Sequence, residues 1–359
     1  MEVALIYNLK KDGSDTQSNE SPSSQNIIDV STQVTRVNKS VDTYAEWDTV
    51  ETITAVRDAL ASRNMVTMIE ADDEVFEKLR NNHPDIVFNI AEGRFGPSRE
   101  SQIPAMLEML NLPYTGSDPL TLGICLDKSR TKEILSYYHI PTPKFVVVHS
   151  LSEIRNENVF LPAIVKPLFE GSSKGIFNSS FVQTSNDLYD RVERILSEYG
   201  QPALVEEFLP GREFTVALLG NGSSLQVLPI VEINFDSLPK DVNPIYSFEA
   251  KWIWDEANNP LDIFTCPARV SPQLQSAIEK VCRDAFTVLR CRDWCRIDVR
   301  LDANGIPNII ELNPLPGILP NPEENSCFPK AARAAGLSYS KMINKVLDAS
   351  LLRYGLIPL

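Results

Sequence analysis

The stretch from Cys291 to Gly317, CRDWCRIDVRLDANGIPNIIELNPLPG, constrains the fold more than any other part of the chain. Two alternating runs, Arg296 to Leu301 and Ile306 to Asn313, flank Asn304-Gly305. Asn-Gly between alternating apolar residues is the strongest short-range signal for a β-hairpin. With that dipeptide as a two-residue loop, Asp298 lies opposite Glu311 and Arg296 opposite Asn313. A loop of four residues shifts the register by two and leaves the same residues on one face, because side chains alternate with period two. The other face is apolar: Ile297, Val299 and Leu301 on one strand, Ile310 and Leu312 on the other. Facing carboxylates repel and destabilise a sheet unless a cation sits between them. Asp298, Glu311 and Asn313 are hard oxygen donors, for which Mg²⁺ or Mn²⁺ is the natural cation. The same alternation also describes a hairpin with one solvated face, and the hairpin alone leaves both readings open.

The rest of the chain bounds the choice. Its 359 residues, 43% hydrophobic and 23% charged, fit a soluble globular protein of two or three domains. A formal charge of -14 argues against nonspecific binding to nucleic acid or an anionic membrane, and suits locally basic pockets for small anions. No apolar run is long enough to span a bilayer, and Met1 to Lys11 lacks the basic start and long core of a signal peptide, so the cytoplasm is the expected compartment. The six cysteines are scattered and read as free, buried thiols. All three histidines precede Ser150, which leaves Cys291 and Cys295 without a second zinc-ligand pair.

In chain order, Val3 to Tyr7 reads as a buried strand, and a polar tract from about residue 8 to 40 reads as a mobile or disordered, inert insertion. Thr43-x-x-Glu46 forms a possible capping box before a helix carrying Trp47, Val50, Ile53, Val56 and Leu60. Strands at Val66 to Ile69 and Ile86 to Ile90 enclose a helix at Asp72 to Asn81, and this βαβαβ order predicts a parallel sheet. A second block begins with a helix at Lys128 to Tyr138 and runs through strands at Lys144 to Val148, Pro162 to Pro167, Ala203 to Leu209 and Glu213 to Leu219. Between them lies Phe169-Glu170-Gly171-Ser172-Ser173-Lys174-Gly175, small enough to aim several backbone N–H groups at one anion. A plain surface hairpin has the same composition, but Lys166 at the end of the preceding strand favours phosphate. A helix at Pro272 to Arg290 leads into the hairpin, and helices at Pro329 to Ala335 and Tyr339 to Tyr354 close the chain.

Five ordered motifs, LPYTGSDPLTLGICLDKSRTKEIL, IVKPLFEGSSKGI, LVEEFLPGREFTVALLG, SFEAKW and CRIDVRLDANGIPNIIELNPLPG, resemble those of the ATP-grasp superfamily and, within it, the D-alanine–D-alanine ligases. The resemblance spans about Pro113 to Leu347. It implies an α/β chain of ATP-grasp (α+β) type: an N-terminal parallel βαβ substrate domain at 1–116, a central ATP-grasp subdomain at 117–206 and a C-terminal one at 207–359. It implies that Lys128 and Lys166 contact ATP phosphates. Glu206, Glu207, Phe208 and Leu209 match the segment that reads the adenine edge, and Glu213 matches the ribose carboxylate. Asp298, Glu311 and Asn313 match magnesium ligands. Arg296 and the Gly317 N–H match the groups that stabilise an oxyanion, while Ser172, Ser173 and Lys251 belong to two loops that close over the phosphates. The implied reaction joins a small-molecule carboxylate to an amine through an acyl phosphate, and the family suggests a homodimer. A D-alanine–D-alanine ligase of cell-wall synthesis and a non-catalytic ATP-binding protein are the alternatives.

Departures from the family gather on the amino-acid side. The glycine-rich loop after the first strand gives way to the polar tract, with Glu46 as a stand-in for its glutamate. Ala91-Glu92-Gly93-Arg94 replaces a His-Gly pair, Trp252 stands where a tyrosine is usual, and ILPNPEENS after Gly317 offers no clear match to a substrate-binding serine. Arg94 and Arg99 are candidates for holding a substrate carboxylate.

Overall fold

The structure, a computed structural model, describes residues 1–10, 46–155, 159–238, 242–252 and 263–356. Most of the polar tract and Thr43 of the expected capping box lie outside them.

The N-terminal layer is a parallel sheet of β1 (Glu2–Tyr7), β2 (Met65–Glu70) and β3 (Ile86–Asn89), ordered β2-β1-β3. Val3 to Ile6 are all fully buried, as expected of a parallel strand covered on both faces. Helix α1 (Val50–Ala61) starts later than the spacing predicts: Thr49 is its N-cap and accepts from Thr52 N–H. Trp47 and Glu46 precede it, while Ile53, Val56 and Leu60 form its buried face as expected. Helices α2 (Val75–Asn82) and α3 (Gln102–Met109) complete this layer. Next comes α4 (Pro119–Leu126), absent from the sequence reading although Asp118-Pro119 supplies an N-cap and a first-position proline. It runs into α5 (Lys128–Tyr137), capped by Asp127.

The central layer is an antiparallel sheet, ordered β4-β7-β5-β6, of β4 (Phe145–Val148), β5 (Ala163–Pro167), β6 (Phe181–Val182) and β7 (Ala203–Glu207). Helix α6 (Ser185–Glu198) packs Leu188, Val192 and Ile195 against it. The third layer contains β8 (Glu213–Leu219), β9 (Gln226–Val227), β10 (Val231–Ile233), helix α7 (Phe248–Trp252), β11 (Phe264–Thr265), α8 (Pro272–Val288), β12 (Trp294–Leu301) and β13 (Pro307–Asn313). Its strands run β11-β10-β8-β12-β13, with β9 on β8. One face packs Ile297, Val299, Phe214 and Val216 on α8. At one end of the opposite face Trp294 meets Phe88 of β3 and Phe328 of α9 (Cys327–Ala334) edge to face. The last helix, α10 (Tyr339–Arg353), packs on α1 and so ties the chain's end to its beginning. At the other end of that face the side chains turn polar, and the site begins there.

The hairpin itself is subtler than its sequence. Arg296 pairs with Asn313, Ile297 with Leu312 and Asp298 with Glu311, as predicted. The turn, however, runs over Ala303-Asn304-Gly305: Asp302 N–H donates to Ile306 O (3.0 Å), Gly305 N–H donates to Asp302 O (3.0 Å), and Gly305 takes φ 76°. The Asp302 carboxylate accepts from the N–H groups of Asn304 and Ile306, which stabilises this longer loop. The register therefore starts one residue out, with Leu301 opposite Pro307, and a β-bulge after Asp298 restores it. Because of the bulge, the fully buried residue is Ile309; Ile310, expected in the core, lines the cavity.

Candidate active site

The three layers enclose a cavity of about 260 Å³. Every site residue expected from the sequence, from Lys128 to Gly317, lines it.

The side of the cavity lined by β5, β7 and β8 is built from paired charges. Lys166, at the end of β5, places Nζ 2.6 Å from Glu206 of β7, and Lys132 places its own Nζ 2.6 Å from the other oxygen of the same carboxylate. All three side chains are nearly inaccessible to solvent. Burial pushes Glu206 upward, but the two ammonium groups overcome it and hold the carboxyl below its usual range. Glu206 thus serves as counter-ion to both lysines. Lys132, which the sequence reading passed over, lies one helical turn beyond Lys128; burial lowers it to about 8. Lys128 donates to Glu170 O and lies 3.8 Å from Glu311. Glu213, at the start of β8, pairs with Arg300 at 2.8 Å, and that guanidinium stacks on Phe208.

In the glycine-serine loop Ser172 and Ser173 both adopt positive φ, 50° and 60°, and Ser173 Oγ donates to Tyr246 O (3.1 Å). Side-chain-bearing residues rarely accept that conformation, so the loop's shape is imposed from outside. Glu46 and Arg99 impose it. Glu46 accepts from Gly171 N–H (2.7 Å) and from Arg99 Nη2 (2.6 Å), while Arg99 Nη1 donates to Phe169 O (2.8 Å). Arg99 is thereby committed to the loop, and Arg94 pairs with Asp73 away from the cavity. Neither is placed to bind a substrate carboxylate.

On the hairpin face Arg296 Nη2 lies 3.0 Å from Asp298 and 3.7 Å from Glu311. Burial pushes both carboxyls up, yet Lys128, Lys166 and Arg296 bring Glu311 down to about 2, whereas Asp298 stays raised, with Glu311 adding to the burial effect. Asn313 turns its amide N–H₂ toward Glu311 (3.4 Å), leaving its oxygen as a third donor. Two carboxylates and an amide oxygen at a cationic rim fit a hard divalent ion. Among the described residues no group of three or more His, Cys, Asp or Glu is placed to hold a metal ion.

The remaining wall comes from loops. A Cβ at Gly317 would meet nothing within 4 Å, so its backbone is open to the cavity. Ser326, the last residue of the ILPNPEENS stretch that showed no clear match to a substrate-binding serine, donates to Gly317 O (3.2 Å) and accepts from Leu319 N–H (3.1 Å). Lys251 on α7 is lowered to about 8 by burial, with Arg296 adding repulsion. Asp48, Glu92 and Glu100 line the N-terminal wall. Burial raises Asp48 and Glu100 to about 7 and Glu92 well above its usual value.

This arrangement of sheets has a counterpart among solved structures. The D-alanine–D-alanine ligase from Bacillus anthracis complexed with ATP superposes with a TM-score of 0.69 at 20% identity, over 99% of each chain. The fold is that of the ATP-grasp ligases. A family model described as the D-ala D-ala ligase C-terminus matches residues 134–348. A D-alanine–D-alanine ligase of Pelotomaculum thermopropionicum is 31% identical over 313 residues, 84% of this chain and 92% of that one. One from Actinobacillus pleuropneumoniae is 35% identical over 301 residues, 82% of this chain and 91% of the other. An uncharacterized protein of Sinorhizobium fredii is 39% identical over 269 residues, 75% of each. The chain belongs to the D-alanine–D-alanine ligase family, whose members are ATP-dependent, ADP-forming ligases that join a carboxylate to an amine. Among the described residues no helix is long and apolar enough to cross a membrane.

Proposed function

We propose that the protein joins two amino acids, at least one of them other than D-alanine, in the cytoplasm and as a homodimer. The observation that carries this reading is one cavity with two unlike walls: paired cations and hard oxygen donors on the nucleotide side, and Asp48, Glu92 and Glu100 on the other. Burial raises the carboxyls of the far wall, and an arriving substrate ammonium group would favour their ionised form.

In this reading Lys128 and Lys166 bind ATP phosphates, each contact worth about 4 kcal/mol at an effective dielectric of 20 before desolvation. Asp298, Glu311 and Asn313 hold Mg²⁺ or Mn²⁺, which when bound neutralises phosphate charge. Glu206, the shared counter-ion of Lys132 and Lys166, orients the Lys166 ammonium group, and Glu207, Phe208 and Leu209 border the adenine. One carboxylate becomes an acyl phosphate and the second substrate's amine attacks it. Arg296 and the Gly317 N–H stabilise the resulting oxyanion. Ser172, Ser173 and Lys251 close over the phosphates and exclude water, which would otherwise hydrolyse the acyl phosphate.

The test is a panel of D- and L-amino acids, alone and in pairs, read by phosphate release and by mass spectrometry of the product. A heteromeric pair is expected to outrun D-alanine alone. The names of the relatives favour the second reading, a D-alanine–D-alanine ligase; D-alanine dimerised as fast as any pair would establish it. Light scattering of the purified protein tests the dimer, and a monomer mass rejects it.

A further inference from the structure

The polar face of β12 carries a third residue beyond Arg296 and Asp298. Arg300 continues the alternation and sits across from Glu213 in the β12–β8 register. Its Nη1 donates to Glu213 Oε2 at 2.8 Å and its Nη2 to Pro244 O at 2.9 Å. The guanidinium carbon lies 4.6 Å from the Phe208 ring centroid and 5.3 Å from that of Phe235. Only 6% of the residue is exposed, although it lines the cavity. An arginine held on two aromatic faces and by two divergent hydrogen bonds, one to the Pro244 carbonyl and one to the carboxylate, has little freedom and so presents a fixed donor to Glu213 Oε2.

We propose that Arg300 determines recognition of the nucleotide sugar by holding Glu213 as a fixed carboxylate acceptor for the ribose hydroxyls. This rests on the nucleotide half of the proposed function. Arg300 acts through Glu213 and is therefore a positioning residue. With Oε2 taken by Arg300, Oε1 is the oxygen a hydroxyl meets. The pairing also protects the charge: burial, Asp298 and Glu311 all push the Glu213 carboxyl upward, and Arg300 opposes them. A protonated Glu213 would lose acceptor capacity where the sugar needs it. A residue that served only to pack against the base needs no fork, and a simple apolar side chain would suffice there.

The experiment compares kcat/KM for ATP and 2′-deoxy-ATP under saturating amino acids. A hydrogen bond from a hydroxyl to a charged acceptor predicts that wild type prefers ATP by roughly 10-fold or more. R300M is expected to reduce the ratio to within about threefold, with the loss appearing in KM for ATP. E213Q is expected to reproduce that collapse, and adding R300M to E213Q to change the ratio no further. R300K retains the charge without the fork and is expected to fall between wild type and R300M. Thermal midpoints are measured for every variant. If R300M does not fold, the E213Q and R300K ratios carry the test. Full sugar discrimination in folded R300M, or none in wild type, overturns the assignment. Amino-acid-dependent phosphate release by wild type is scored separately. Its absence sinks the ligase reading, whereas its presence with an unchanged sugar ratio in R300M sinks only the role of Arg300.

Discussion

The two walls of the cavity are built on opposite principles. On the side lined by the two antiparallel sheets almost every charge already has a partner: Glu206 with Lys132 and Lys166, Glu213 with Arg300, Arg296 with Asp298. Apart from Lys132 on α5, these groups stand on strands of two sheets, where alternation and register fix their spacing. On the N-terminal side Asp48, Glu92 and Glu100 come from loops and a single turn, and the adjacent Arg99 is spent on Glu46 and Glu170. A wall of satisfied pairs keeps its shape for one constant ligand. A wall of raised carboxylates is tuned to whatever cationic group approaches it, and that is where related ligases have room to diverge in substrate.

The largest expected effect lies on the satisfied side. Stripping divalent cations with a chelator is expected to abolish phosphate release, and Mg²⁺ or Mn²⁺ to restore it. Activity that survives exhaustive chelation removes Asp298, Glu311 and Asn313 from a metal role. Next, Arg296→Ala is expected to lower turnover by about 10²–10³, the usual cost of one oxyanion donor, in rapid-quench or steady-state assays. A rate equal to wild type would break the link between the hairpin and the chemistry. Lys132→Met leaves Glu206 with one cation instead of two, and breaking a buried pair costs on the order of 3 kcal/mol. Denaturant unfolding measures it, and a loss below ~1 kcal/mol would mean that Lys166 alone satisfies Glu206.

The smallest effect belongs to the other wall and depends on pH. Glu100 is raised to about 7 by burial. A carboxyl raised in the folded state contributes stability that is fully present below its unfolded value and is lost as pH rises through about 7. Glu100→Gln should therefore raise the thermal midpoint by on the order of 2–5 °C at pH 8 and by nothing measurable near pH 4.5. An equal gain at both pH values would trace the effect to packing.

The same contrast explains what the sequence revealed. Asp298 against Glu311 and Arg296 against Asn313 follow from period-two alternation, a local rule. Even there the rule succeeded through two offsetting departures, the longer turn and the bulge, neither of which alternation encodes. Lys132 carried a local signal in its helical spacing from Lys128, but its significance depends on Glu206, which is distant in sequence. The substrate wall has no local rule at all. Asp48, Glu92 and Glu100 reach the cavity only because the layers fold together, and the role of Arg99 as a clamp on the glycine-serine loop requires knowing that residue 99 touches residues 46, 169 and 170. Arg94 and Arg99 are alike in sequence, and only the fold separates an exposed pair with Asp73 from a buried clamp.

The bulge between the hairpin's turn and its cavity-facing carboxylates acts as a phase corrector. Its single extra residue cancels the one-residue offset that this turn introduces, so the length of the tip and the facing of Asp298 and Glu311 are coupled through it. The turn at Ala303-Asn304-Gly305 and the bulge thus form a matched pair: a one-residue change in either alone would rotate one carboxylate out of the cavity.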